Sequence, residues 1–369
     1  PLQRRAGATV DISWALTVYL AIATALGTAV GALGVCRPGI VLGSSTIVFA
    51  LGLLFLVRSG RPSPAESVGP LSRAGMAGTL AVGIGVCLFV SAAWLALALP
   101  VVNFDSLAYH LPTLAHWVQT GSLEGVDHLG LQRCLPMAHL AMALPSTVVA
   151  RSDVFASALG LLAHLLLAVS VYQLARRIGS GVAHGILGAA LVLTLPTILR
   201  SFASVQSDVM LGALFVAALS HWIGYWRERR ASHLAAFGLA VALLPGLKTT
   251  GLVYAGIALG IAALAHGSVR ADRPALVAAL RTPLALALSA ACAALASVWY
   301  LRSALLCGSP FGVATSCVAV DSPQGTAWSW GELFRTTIAA AFRVDRASDW
   351  STARSIALDA IGIAFVTFM

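Results

Sequence analysis

The chain has 369 residues, of which 59% are hydrophobic and only 10% charged, and its net charge is +9. Soluble domains carry roughly 25% charged residues, so this composition excludes a water-soluble globule, and with it a disordered tail, a collagen-like fibre and a nucleic-acid-binding domain. The positive charge reads as arginines gathered on one side of a membrane rather than as a basic patch.

Crossing a hydrocarbon core of ~30 Å takes about 20 apolar helical residues. Stretches free of Asp, Glu, Lys and Arg that meet this need are 12–36, 38–57, 74–104, 154–175, 178–199, 209–226, 249–269 and 282–301. The stretch 231–247 is slightly short, and 360–369 stops at Met369. A chain that opens on Pro1 and stops within an apolar run reads as a piece of a longer protein. The run 12–36 is too long and too uniformly apolar for the core of a signal peptide and is expected to be an anchor. The expected fold class is an all-α polytopic membrane protein of about ten spans, the last one cut, forming one transmembrane domain over 1–369.

Arginine placement sets the expected orientation. With Arg4 and Arg5 in the cytoplasm and each run crossing once, the cytoplasmic segments hold 13 basic residues against Asp11, Glu66, Glu228 and Asp272, a balance of +9. The outer segments hold 10 basic and 10 acidic residues and balance to zero. The apolar run 134–150 carries Pro136 and Pro145. If it crossed, every later arginine cluster would flip outside, so it is expected to lie at the outer surface or to dip in partway. Two large outer loops follow from this topology, 103–153 and 302–354, and function is expected on that side. Cys87 and Cys292 fall in spans as packing residues. Cys307 and Cys317 share the second outer loop, where an oxidising compartment would allow them to bond.

Ionisable groups near a membrane need a reason, because desolvation is costly. Asp105 follows the third span directly, in Asn103-Phe104-Asp105-Ser106-Leu107-Ala108-Tyr109-His110-Leu111-Pro112. Leu107, Leu111, Leu114 and Val118 repeat at helical spacing and predict a helix over 106–119, with Asp105 near its N-cap and His110 one turn in. Backbone N–H groups there would keep the carboxylate ionised, which suits a general base on a hydroxyl and equally describes a plain helix cap. Asp208, beside Ser207 at the mouth of 209–226, has the same two readings. Two outward carboxylates could also share a divalent cation, since hard cations prefer oxygen ligands.

Lys248 is the only lysine among 23 basic residues. It sits at a tight turn, Leu244-Pro245-Gly246-Leu247-Lys248-Thr249-Thr250-Gly251, where it either anchors a helix end by snorkelling or offers a point charge to a lipid-linked phosphate. Trp299-Tyr300-Leu301-Arg302-Ser303 closes the span 282–301. Its aromatics match an interfacial belt, and Arg302 is a candidate second phosphate contact. His164, His184 and His221 lie one each in spans. His110, His116, His128 and His139 share the first outer loop without diagnostic spacing. There is no HExxH pair, CxxC pair or glycine-rich phosphate loop, so neither a structural zinc site nor a cytoplasmic nucleotide enzyme is expected.

Taken in order, these segments resemble the polyprenyl-phosphate-sugar-dependent glycosyltransferases of the GT-C fold, a group that includes protein O-mannosyltransferases and the aminoarabinose transferase of lipid A. The resemblance runs from about 84 to 315 within a core of 74–315, behind two extra spans at 12–57. It covers Asp105 to Pro112 with His116-Trp117 and Gly121-Ser122, then Leu135-Pro136, Leu174 to Gly179, Ser204 to Leu211, Gly246 to Thr249 and Trp299 to Pro310. The family's first-loop acid, its proposed catalytic base, falls on Asp105, its second-loop acid on Asp208 and its short-helix lysine on Lys248. Tyr109, His110 and Arg302 join Lys248 as expected substrate contacts. The chain departs from many relatives in having Ser106 where a second acid follows the first, and Leu131-Gln132-Arg133-Cys134 before Leu135-Pro136.

The resemblance implies an inner-membrane enzyme with its active site outside. It would move a sugar from a polyprenyl-phosphate donor to a hydroxyl on a glycan, lipid or protein acceptor, with inversion at the anomeric carbon. Expected partners are the donor, the acceptor and membrane lipids, with no nucleic acid, and a divalent cation is an open cofactor. Two other classes stay open. A transporter of a lipid-linked substrate would place ionisable residues at the bilayer midplane and broken helices in two related halves. An inactive assembly subunit would keep the fold with its charged residues paired to one another.

Overall fold

A computed structural model describes residues 11–58, 75–98, 101, 103–126, 134–267 and 283–311. Among the described residues the architecture is all-helical, with no strand. The helices are α1 (Ile12–Ala32), α2 (Pro38–Arg58), α3 (Gly75–Ala98), α4 (Leu111–Thr120), α5 (Ala138–Ala150), α6 (Val154–Ile178), α7 (Val182–Leu193), α8 (Pro196–Arg200), α9 (Asp208–Glu228), α10 (Ala231–Leu247), α11 (Gly251–Gly267) and α12 (Pro283–Cys307). The expected second outer loop past residue 311, with Cys317, and the run 360–369 lie outside the described residues, as does His128.

Among the described residues, four helices are long and apolar enough to cross a membrane: α1, α6, α9 and Leu286–Cys307 of α12. The outer faces of others are also apolar. α3 exposes Leu80, Val86, Val90 and Trp94, and α11 exposes Val253, Ile257, Ile261 and Leu264. Such extended apolar surface is unfavourable against water and fits a membrane-embedded bundle.

The expected span 178–199 is broken. α7 ends at Leu193 and a new short helix starts at Pro196. Proline pushes the residue before it out of the helical region, and Leu195 accordingly takes φ −59° and ψ 128°. With a helical rise of about 1.5 Å per residue, α7 reaches only about 18 Å.

The core sits where α6, α9 and α10 meet and where α1 packs on α5. Small residues line these seams, among them Ala156, Ala163, Ala213, Ala217 and Ala240, all fully or almost fully buried. Small side chains let helix backbones approach, which is how helices associate when the surroundings are as apolar as their side chains. Gly27 of α1 shows the limit of that approach: a Cβ there would collide with the carbonyl of Ala141 in α5.

α5 falls on the run expected either to lie at the outer surface or to dip in partway, and its burial favours the second. A helix lying on a surface buries one face, yet α5 buries Ala138 through Leu144 without interruption, then Thr147 and Val148. It therefore enters the bundle, packed between α1, α6 and α4, rather than lying on its surface.

The cysteine pairing also differs from expectation. Cys307 bonds to Cys134, across 173 residues and with Cα atoms 6.1 Å apart. Loop proximity in sequence pointed to Cys317. Three-dimensional packing brings the segment preceding α5 against the end of α12 instead, and Ser303 of α12 donates to the Cys134 carbonyl beside the bridge.

Candidate functional site

Asp105, Asp208 and Lys248 sit at helix ends that meet at one end of the bundle. The expected cap at Asp105 is not formed by that residue. Asp105 already has helical torsion angles, φ −63° and ψ −37°, and its side chain makes no capping bond. Asn103 caps the turn instead: its Oδ1 accepts the Ser106 N–H at 3.1 Å and the Ser106 hydroxyl at 3.3 Å. The helix thus begins earlier than the leucine spacing indicated, and the Asp105 carboxylate is released from backbone duty.

The first turn is a π-helix, Ser106–His110, which runs into α4. Pro112 explains the widening. It has no N–H to donate, and its ring crowds the carbonyl four residues back, at Ala108. The chain takes up one extra residue, and the Leu111 N–H bonds to the Ser106 carbonyl. Such turns often mark functional sites.

Ser106 then ties this segment to the one before α9. The Val205 N–H donates to Ser106 Oγ at 3.0 Å. That bond sets Gln206 beside Asp105, and Gln206 Nε2 donates to Asp105 Oδ2 at 3.0 Å. Shortly after it, Asp208 opens α9. Its Oδ1 accepts from Lys248 Nζ at 2.8 Å. Lys248 itself has extended backbone where α10 stops. The turn after it is tight enough that a Cβ on Gly251 would collide with the Leu244 carbonyl. The ion pair stays half-exposed, with 49% of the Lys248 side chain and 54% of the Asp208 side chain accessible.

The aromatic residues behind these charges feel them: His110 all three, Tyr109 the two carboxylates. Burial lowers the His110 pKa to about 4, Asp105 and Asp208 pull it up, and Lys248 pushes it down. The His110 ring is therefore neutral at neutral pH. Burial raises the Tyr109 pKa, and the two carboxylates raise it further. His110 Nδ1 lies 3.1 Å from His139 Nε2, and Tyr109 packs against the His110 ring at 4.1 Å between centroids. His139 is enclosed in the bundle, and its Nδ1 has no hydrogen-bond partner among the described residues. Phe104, 79% exposed, and Leu107, 51% exposed, flank Asp105 with apolar surface.

The structure thus brings together five of the six residues expected from sequence: Asp105, Tyr109, His110, Asp208 and Lys248. Arg302 is engaged elsewhere. Its Nε donates to the Leu123 carbonyl at 3.0 Å and its Nη2 to the Glu124 carbonyl at 3.4 Å. Its guanidinium lies 5.5 Å from the Trp117 ring and 5.7 Å from the Trp299 ring. With the neighbouring disulfide, these contacts fasten the end of α4 and the segment preceding α5 to α12.

Sequence reasoning missed Gln206 and the place of His139. Neither is unusual in composition or spacing, and only the Val205–Ser106 bond and the burial of α5 bring them in. A cleft of about 510 Å³ lies between α4, the end of α5 and the start of α2, lined by Pro38, Leu111, Val118, Val148 and Asp153, and none of the clustered residues lines it.

Chemically, the cluster offers a carboxylate with an amide partner, a second carboxylate holding an ammonium, and two buried imidazoles. A divalent cation shared by Asp105 and Asp208 would have to compete with Lys248 for Asp208. Comparison of the chain with family models, with curated proteins and with solved structures finds no match.

Proposed function

We propose that the chain is an integral membrane glycosyltransferase that takes a sugar from a polyprenyl-phosphate donor at the end of the bundle where Asp105, Asp208 and Lys248 meet. The observation that carries this reading is the half-exposed Lys248–Asp208 pair standing next to a carboxylate that, among the described residues, caps no helix. Lys248 supplies the ammonium for the donor phosphate, and Asp208 fixes where that ammonium stands. Asp105 accepts the proton of the attacking hydroxyl. The acceptor oxygen bonds to the anomeric carbon as the carbon–oxygen bond to the phosphate breaks, polyprenyl phosphate leaves, and the anomeric configuration inverts. Exposed Phe104 and Leu107 give the polyprenyl chain an apolar approach. Near lipid, a charge contact on the leaving phosphate counts for more than it would in water.

A non-catalytic assembly subunit is the second reading, and one observation favours it: Lys248 and Asp208 satisfy each other directly. Membranes carrying wild type or Asp105→Asn, supplied with radiolabelled polyprenyl-phosphate sugar, separate the two. Label entering acceptor with wild type and not with the variant supports the transferase. Equal labelling by both removes Asp105 from the chemistry, and no labelling by either favours the subunit.

A further inference from the structure

A second cluster lies toward the other end of α9, far from Lys248. Asp11 precedes α1, His221 lies two turns before the end of α9, and His233 is in the first turn of α10. Asp208 and His221 belong to one continuous helix, and a rise of about 1.5 Å per residue separates them by roughly 20 Å. Asp11 Oδ2 is 4.0 Å from His221 Nδ1 and 3.9 Å from His233 Nδ1, and the two Nδ1 atoms are 3.4 Å apart. The side chains are enclosed: His221 is 0% exposed, His233 6% and Asp11 19%.

The hydrogen bonds around the two rings decide what their Nδ1 atoms are. His233 Nε2 faces Glu228 Oε2 at 3.5 Å. A carboxylate only accepts, so Nε2 carries the proton and the neutral ring presents a lone pair at Nδ1. His221 Nε2 lies 3.1 Å from Ser13 Oγ. The Ser13 hydroxyl has acceptors of its own, Gln173 Oε1 at 2.6 Å and Asp11 Oδ1 at 2.8 Å. Its proton goes to one of those, and its lone pair takes the Nε2–H of His221. Both Nδ1 atoms are then acceptors, and a carboxylate oxygen completes the triangle.

Three acceptors facing one another repel unless a cation stands between them. A proton shared between the two nitrogens, 3.4 Å apart, would require one ring to carry a second proton on Nδ1 and so to be charged, with the Arg177 guanidinium already paired to Asp11 Oδ2. A metal ion fits well. The point equidistant from the three atoms lies about 2.2 Å from each, close to zinc–ligand distances of roughly 2.0–2.2 Å.

We propose that Asp11, His221 and His233 bind one divalent first-row metal ion of the zinc class, which clamps the start of α1 to the α9–α10 hairpin. Two imidazoles and one carboxylate are the donor set for such ions and a poor set for magnesium or calcium. Ser13 and Glu228 hold the outer ring nitrogens, as partners of metal-bound histidines do. The other Asp11 oxygen is already occupied: Oδ1 takes the Trp14 N–H at 3.1 Å and Gln173 Nε2 at 2.9 Å. Oδ2 therefore binds the ion through one lone pair while Arg177 Nη2 holds it at 2.7 Å. Arg177 is shared in turn with Ser220 Oγ, 2.8 Å from Nη1. Nothing in the residue order announces this site, because Asp11 is remote in sequence from both histidines and the three match no metal-binding motif.

The test is cobalt(II) titration of the full chain, purified in detergent and stripped with a chelator. Wild type is expected to bind one equivalent with the visible d–d absorption of a low-coordinate site, and zinc is expected to displace it. Glu228→Gln is expected to weaken binding about 10- to 100-fold, and His221→Ala and His233→Ala to abolish it. Wild type that shows no saturable cobalt binding overturns the proposal without reference to any variant. So does a cobalt spectrum that survives unchanged in both histidine variants.

Discussion

Lys248 Nζ stands 2.8 Å from Asp208 Oδ1, joining the end of α10 to the start of α9. Because both side chains are half-exposed, the contact adds less than about 1 kcal/mol to stability. On the proposed function its value lies in placing a charge. Lys248→Met is therefore expected to leave the thermal midpoint nearly unchanged and to lower donor turnover about 100-fold or more, by analogy with losing one stabilising donor at a developing charge. Paired melting curves and transfer rates check this.

Asp105 and Gln206 make a separable prediction. On the proposed mechanism Asp105→Asn removes the proton acceptor, and turnover is expected to fall by about 10²–10⁴ with donor affinity retained. Gln206→Ala removes only the amide that orients Oδ2 and is expected to have a smaller effect. Single-turnover rates beside equilibrium donor binding distinguish chemistry from affinity.

His110 predicts a pH dependence of stability. Its pKa in the fold is about 4, against roughly 6.5 in an unfolded chain. Between those values the unfolded state carries the extra proton, so stability rises with pH across this window. The neutral ring's contribution is full above about pH 6.5 and is lost as pH falls toward 4, amounting to about 3 kcal/mol. His110→Gln is expected to flatten that slope in denaturation midpoints measured from about pH 4 to 7.

The bridge between Cys134 and Cys307 is expected to appear as one linked peptide pair in non-reducing mass mapping. Cys134→Ser is expected to lower stability by about 2–4 kcal/mol, the typical contribution of a disulfide. Arg302→Lys tests the neighbouring contacts. Lysine cannot reproduce the fork to the Leu123 and Glu124 carbonyls or the stacking on Trp117 and Trp299. The melting point is expected to fall while donor affinity changes less than about twofold.

Much of this architecture was legible in the residues, and the misses have physical causes. Apolar run length located most helices, because a lipid-facing helix needs that composition over its whole length. It failed at 178–199, where apolarity is continuous but Pro196 sets the backbone. It left α5 open between a surface and an interior place, since uniform apolarity does not say which helices will surround it. Asp105, Asp208 and Lys248 stood out because charge is rare here. Gln206, His139 and the Asp11 cluster did not, because their meaning comes from partners remote in sequence: Asp105 for Gln206, His110 for His139, and His221 for Asp11.

The most direct measurement uses purified chain in liposomes with a defined polyprenyl-phosphate sugar and an acceptor, following donor binding and release of free polyprenyl phosphate together. Wild type is expected to bind and release, Asp105→Asn to bind without releasing, and Lys248→Met to bind weakly. Wild type that never releases polyprenyl phosphate, or Asp105→Asn that releases it at the wild-type rate, would contradict a transfer site built on these three residues.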